Sequence, residues 1–204
     1  MKRFLLLLVF LSQLVFADDS YLIDDSLAMA RQGEFVRASN LIVDLANNGD
    51  STAQYVLSMY FRDPNALNIP EVGEMWLMRA AENNNAKAQY DLGWRLAAGW
   101  KNDTVEDIVE MIYWFERATF NGSDDAYANL ATLYENEHRN VLLEMEVAAN
   151  NGNAMAQFNL GWINARGLVS SEGLMQDMDV AKAWFEKSAK LGFKDAIEVL
   201  DKNF

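Results

Sequence analysis

Residues 153–192 read NAMAQFNLGWINARG (153–167), then a polar loop, then DVAKAWFEKSAKLG (179–192). In the first piece Ala156, Leu160 and Ile163 fall at helical spacing, with Gly161 beside Leu160; in the second Ala181, Trp184, Phe185, Ala189 and Leu191 do the same. Each half is amphipathic with a period near 3.6, and neither can bury its apolar stripe alone. The stretch is therefore predicted to form one helix–loop–helix unit, and its copies fill most of the remaining chain.

Two anchors set the register of the copies. Ala53, Ala88, Ala126, Ala156 and Ala196 each sit in a first helix, and Gly49, Asn84, Gly122, Gly152 and Gly192 lie four positions before them. Successive anchors are separated by roughly 30 to 40 residues, the period of stacked helical repeats. The junction has a physical basis. Gly and Asn tolerate the left-handed backbone that ends a helix. The next residue is Asp50, Asn85, Ser123 or Asn153, each able to accept a hydrogen bond from the free amides of the following helix. The last junction has Phe193 in that place and breaks the rule.

Other slots follow the same register. Trp76, Trp114 and Trp184 share a position of the second helix, Trp94 and Trp162 a position of the first, and Trp100 alone falls in a loop. Leu57, Leu92, Leu130, Leu160 and Leu200 fill a further slot, followed in four copies by Ser58, Gly93, Ala131 or Gly161. A small side chain there predicts close approach of two helices.

The segments AQYDLGWRLAAG (88–99) and AQFNLGWINARG (156–167) resemble the first helix of the Sel1-like repeat family, and AKAWFEKSAKLG (181–192) resembles its second. MIYWFERATFNG (111–122) is a looser match, and the copies at Ala53 and Ala126 are degraded. The resemblance covers roughly residues 50–200 and implies an all-α fold, an α/α superhelical solenoid of TPR-like helix-turn-helix repeats that binds other proteins and is not an enzyme.

The expected organisation is a cleavable signal peptide over 1–17, an N-terminal capping helix pair over 18–49, four repeats over 50–192 and a C-terminal capping helix over 193–204. Lys2 and Arg3, the apolar run Phe4–Phe16 and the small residue Ala17 make the signal, whose core is shorter than the roughly 20 residues needed to span a bilayer. Export to the periplasm or outside the cell follows, with no membrane insertion after cleavage. The chain has 30 Asp and Glu against 17 Lys and Arg, a net charge of −13, and no Cys. Such a balance disfavours nucleic acid and anionic lipid, and suits a basic protein partner. The lack of Cys removes disulfides, thiol catalysis and Cys-based metal sites.

Chemistry has little to stand on. His138 is the only histidine, and no zinc, phosphate-loop or nucleophile-elbow motif is present. The acidic pairs Asp24–Asp25, Asp124–Asp125 and Asp177–Asp179 lack calcium-loop spacing and read as helix starts. Asn102 and Asn121 sit in short glycosylation-like triplets. Neither a cofactor nor a metal is expected. The expected partner-binding residues lie on first helices, beside the core stripe: Met59, Tyr90, Trp94, Phe158 and Trp162, framed one turn on by Arg62 and Arg166. The function expected is an exported, non-catalytic adaptor that binds another protein; the alternative is an immunity or inhibitor protein that neutralises an exported toxin such as a lipid hydrolase.

Overall fold

The computed structural model describes residues 19–98, 104–134, 141–167 and 176–204. The expected signal segment, Gly99, Trp100, Asn102 and His138 lie outside them. Among the described residues there are eleven α-helices and no strand: α1 Ser20–Ala30, α2 Phe35–Asn47, α3 Ser51–Arg62, α4 Pro70–Glu82, α5 Ala86–Ala97, α6 Val105–Phe120, α7 Asp124–Tyr134, α8 Val141–Asn150, α9 Ala154–Arg166, α10 Met178–Lys190 and α11 Lys194–Asn203. The fold is an all-α helical-repeat solenoid, as the period predicts.

The junction chemistry is realised in detail. Gly49, Asn84, Gly122, Gly152 and Gly192 have φ between +64° and +97°. Asp50, Asn85 and Asn153 accept from the amides of Ala53, Ala88 and Ala156 at 2.7, 3.0 and 2.9 Å, and the Ser123 hydroxyl accepts from Ala126 at 3.3 Å. Phe193 makes no such bond. Thr104 and Asp107 close a capping box at the start of α6, and Asp177 caps α10 through the amides of Asp179 and Val180. The Asp177–Asp179 pair thus serves a helix start.

The chain divides into two compact units, one ending at Asn83 and the other beginning at Asn84. In the first, α1 packs on α2, α2 on α3 and α3 on α4, around Ala38, Ile42, Leu57, Tyr60 and Trp76. The buried Ser26 donates to the Ala38 carbonyl at 2.9 Å and shares a hydrogen bond with the Tyr60 hydroxyl at 3.0 Å, which ties α1 to its neighbours. Here the close approach falls at Gly73, whose missing side chain leaves room for the stem of Arg62.

In the second unit, α6 is the hub. It packs against α5, α7, α8 and α9, and Ile108, Met111, Ile112, Phe115 and Ala118 are buried along it. The hairpins α5–α6 and α9–α10 are tight; α7 and α8 have little contact with each other, α7 lying on α6 and α8 on α9. Leu57, Leu92, Leu130 and Leu160 are buried and Leu200 is half-buried. A side chain placed on Gly93 would meet the Phe115 ring at 2.7 Å, and one on Gly161 would meet Phe185 closer still. These are the predicted small-residue contacts.

Candidate binding site

A cavity of about 210 Å³ lies in the second unit between α6, α9 and α11. Its apolar wall is Phe120, Phe158 and Trp162, and its polar wall is built around Arg117, Asp195 and Lys202. The wall begins in an aromatic cluster. The Phe158 ring stands 6.0 Å from Tyr113, 5.6 Å from Phe185 and 5.2 Å from Phe193. Phe193, which gives up the cap at the last junction, puts its ring here instead, 5.8 Å from Tyr113. Trp162 lies against Phe185 at 5.5 Å and Phe120 at 5.2 Å. Phe120 is 58% exposed, an aromatic ring left at the mouth.

Arg117 holds the polar wall together. Its guanidinium donates to the Tyr113 hydroxyl at 2.8 Å and to the Asn84 carboxamide at 2.6 Å, and pairs with Asp195 at 3.1 Å. Tyr113 donates on to Asp195 at 2.9 Å. The phenol is pushed up to about 12, chiefly by burial, with Arg117 opposing the shift, so it remains a hydrogen-bond donor across the physiological range. Lys202 pairs with Glu198 one turn before it. Both cations of the cavity are thus committed to carboxylates of α11.

Beneath the Trp162 ring, Arg166 stacks at 4.9 Å and turns inward to Glu116, which is fully buried. The Tyr134 hydroxyl donates to the same carboxylate at 3.4 Å. Burial pushes Glu116 up to about 7, with Arg166 pulling the other way. Trp76, Trp114 and Trp184 each carry a cation three residues on: Arg79 at 5.0 Å, Arg117 at 5.8 Å and Lys187 at 3.7 Å from the indole. This one-turn spacing on a helix lets the cation lie on the ring face.

Within the second unit, only some of the residues expected from sequence line the cavity. Phe158 and Trp162 line the cavity, Phe158 from within the core at 2% exposure. Tyr90 is half-buried against Phe115 at 5.9 Å, and its hydroxyl accepts from Asn129. Trp94 is 55% exposed and outside the cavity's lining. Met59 packs into the core of the first unit, and Arg62 lies over Gly73 there while donating to the Ser58 carbonyl. Arg166 does not frame an opening with positive charge, because the buried Glu116 draws it inward. Asn84, Arg117, Phe120, Asp195 and Lys202 were not expected. The repeated cation three residues after each second-helix Trp was the available signal for Arg117.

Among the described residues no group of His, Asp and Glu is placed to hold a metal ion, and no helix is long and apolar enough to cross a membrane.

The Sel1 repeat family model matches residues 86–119 and 154–193, which are the two tight hairpins of the second unit. Among solved structures, a Sel1 repeat protein from Oxalobacter formigenes is 29% identical, with 81% of this chain and 48% of that one covered and a TM-score of 0.41. A protective antigen of uropathogenic Escherichia coli strains, displaying an SLR fold, is 27% identical, with 79% and 35% covered and a TM-score of 0.41. The chain spans about half or less of the length of each. No curated protein matches it. The chain thus carries Sel1-like repeats over residues 86–119 and 154–193. Proteins with this repeat generally mediate protein–protein interaction and are typically non-catalytic scaffolds.

Proposed function

We propose that this chain is exported and acts as a non-catalytic scaffold that binds another protein through the cavity between α6, α9 and α11. The observation that carries this reading is the exposed Phe120 ring beside Trp162 at the mouth of that cavity. Large aromatic anchors next to desolvated pockets are where binding energy concentrates. Export is supported by the positive start, short apolar run and Ala17 at the head of the sequence. The excess of Asp and Glu favours a basic partner, since complementary charge speeds encounter and suppresses wrong pairings. The same excess favours a second reading, an immunity or inhibitor protein that occludes a basic exported toxin such as a lipid hydrolase.

The test is photo-cross-linking in the native host, with the reactive side chain at Phe120 and, as a control, at the exposed Glu186 of α10. An adduct specific to position 120, in the envelope or outside the cell, is the expected result. Equal labelling at both positions, or none at 120, overturns the assignment of the site. A chain that stays in the cytoplasm with residues 1–17 attached overturns export. Identification of the adduct as a secreted hydrolase would select the inhibitor reading.

A further inference from the structure

The cavity's chemistry narrows what its partner presents. We infer that it receives one uncharged, bulky apolar side chain, aromatic before aliphatic, carried on a basic segment of the partner; this rests on the protein-binding reading above. Phe120 and Trp162 offer ring faces 5.2 Å apart at 46°, with Phe158 behind them. Rings pack well at such tilted angles, and a third ring entering from the mouth continues the arrangement. The volume of about 210 Å³ is below the roughly 300 Å³ at which cofactor and small-molecule pockets begin. It is on the scale of a single side chain.

Charge excludes the main competitor, an anionic group. Arg117 is already engaged by Asp195, Tyr113 and Asn84, and Lys202 by Glu198. A phosphate or carboxylate entering the cavity would have to displace Asp195 from Arg117 and would leave that carboxylate beside the newcomer. Within the lining Arg117 and Lys202 balance Asp195 and Glu198, so the pocket itself favours a neutral group. The chain as a whole carries a net charge of −13, so the residues flanking that group are expected to be basic.

The probe is acetyl-KKFKK-amide, titrated into the full-length chain at low salt while the indole N–H resonances are followed by NMR. The controls are the same peptide with Ala in place of Phe and with Glu in place of every Lys. A saturable shift of the Trp162 resonance is expected, at least tenfold weaker with the Ala peptide and at least tenfold weaker with the Glu peptide. Phe120→Ala is expected to weaken binding tenfold or more. Phe120 is exposed, so this variant keeps the fold; should its Tm fall, Phe120→Leu replaces it and is expected to weaken binding less. Equal binding of the Phe and Ala peptides, or an unmoved Trp162 resonance, overturns the inference. Equal binding of the Glu peptide overturns its basic part. Concentration-dependent self-association that Phe120→Ala abolishes would make a second copy the occupant and also overturn it. If cross-linking at position 120 succeeds while the peptides fail, the site stands and this account of its occupant falls.

Discussion

Leu191 stands where the other junctions carry an asparagine, and the buried side-chain oxygen of Gln157 has no donor among the described residues. In two earlier copies the acceptor is filled. Asn83 donates to Gln54 and Asn121 to Gln89, each at 2.9 Å, one residue before the left-handed junction. Gln54 and Gln157 in turn donate to Ala46 and Ala149 of the preceding helix, each at 2.8 Å. The Ala-Gln pair of the first helix is thus a clasp between two junctions, and the last copy has lost half of it.

Leu191→Asn should restore the missing donor. Leu191 is 55% exposed, so little apolar burial is lost, and a hydrogen bond to a buried acceptor contributes about 1 kcal/mol. Thermal unfolding should show Tm rising by about 2–4 °C, with Leu191→Ser as a control that cannot reach. A fall in Tm for the asparagine variant would sink the clasp.

The buried Glu116 should give stability a pH dependence. Its folded pKa, about 7, lies above the ordinary carboxylate value. The protonated form is therefore favoured by folding: the contribution is full below the unfolded pKa of about 4.5 and is lost as pH rises toward 7. Between pH 5 and 7.5 the Tm of the native chain should fall relative to that of Glu116→Gln. Glu116→Gln is an uncharged isostere of the protonated acid, so its stability should lie close to that of the native chain near pH 5 and change little from there to pH 7.5. Parallel Tm profiles for the two proteins would rule this out.

Gly93→Ala and Gly161→Ala set helix propensity against packing. In an open helix the exchange would stabilise by about 1 kcal/mol. Here the new methyl group meets a Phe ring, at 2.7 Å in the first case, and such overpacking costs about 1–3 kcal/mol. Both variants should unfold earlier in denaturant titrations, the second more so. An increase in the midpoint for either would show that the helices are further apart.

Phe193 exchanges a cap for a ring. Phe193→Asn should regain about 1 kcal/mol of capping relative to Phe193→Ala. Both should remain less stable than the native chain, since each loses the contacts with Tyr113 and Phe158. Equal stabilities for the two variants would mean that the junction does not depend on its cap.

Much of this was legible from local chemistry. The junctions, their caps and the Leu slot follow from residue types at fixed offsets, and they appear in the structure at those positions, as do the small-residue contacts at Gly93 and Gly161; in the first unit the close approach falls at Gly73 instead. Burial around α6 was not legible. Glu116 occupies the slot of Glu186, which is exposed, and periodicity alone places both on an outer face. Only the packing of α5, α7, α8 and α9 around α6 encloses it. Arg166 was misread for the same reason, since the partner that turns it inward lies 50 residues away. The cavity unites Arg117, Phe120, Trp162 and Asp195 from three helices, a conjunction that no single repeat displays.

The direct seating of α6 on α9 has a consequence for how the second unit comes apart. In an array held only by nearest neighbours, melting one member decouples those on either side. Here α6 touches α9 directly as well as α7 and α8, so the α5–α6 and α9–α10 hairpins are expected to stay coupled as a single foldon, with α7 and α8, which have little contact with each other, exchanging their amide hydrogens first.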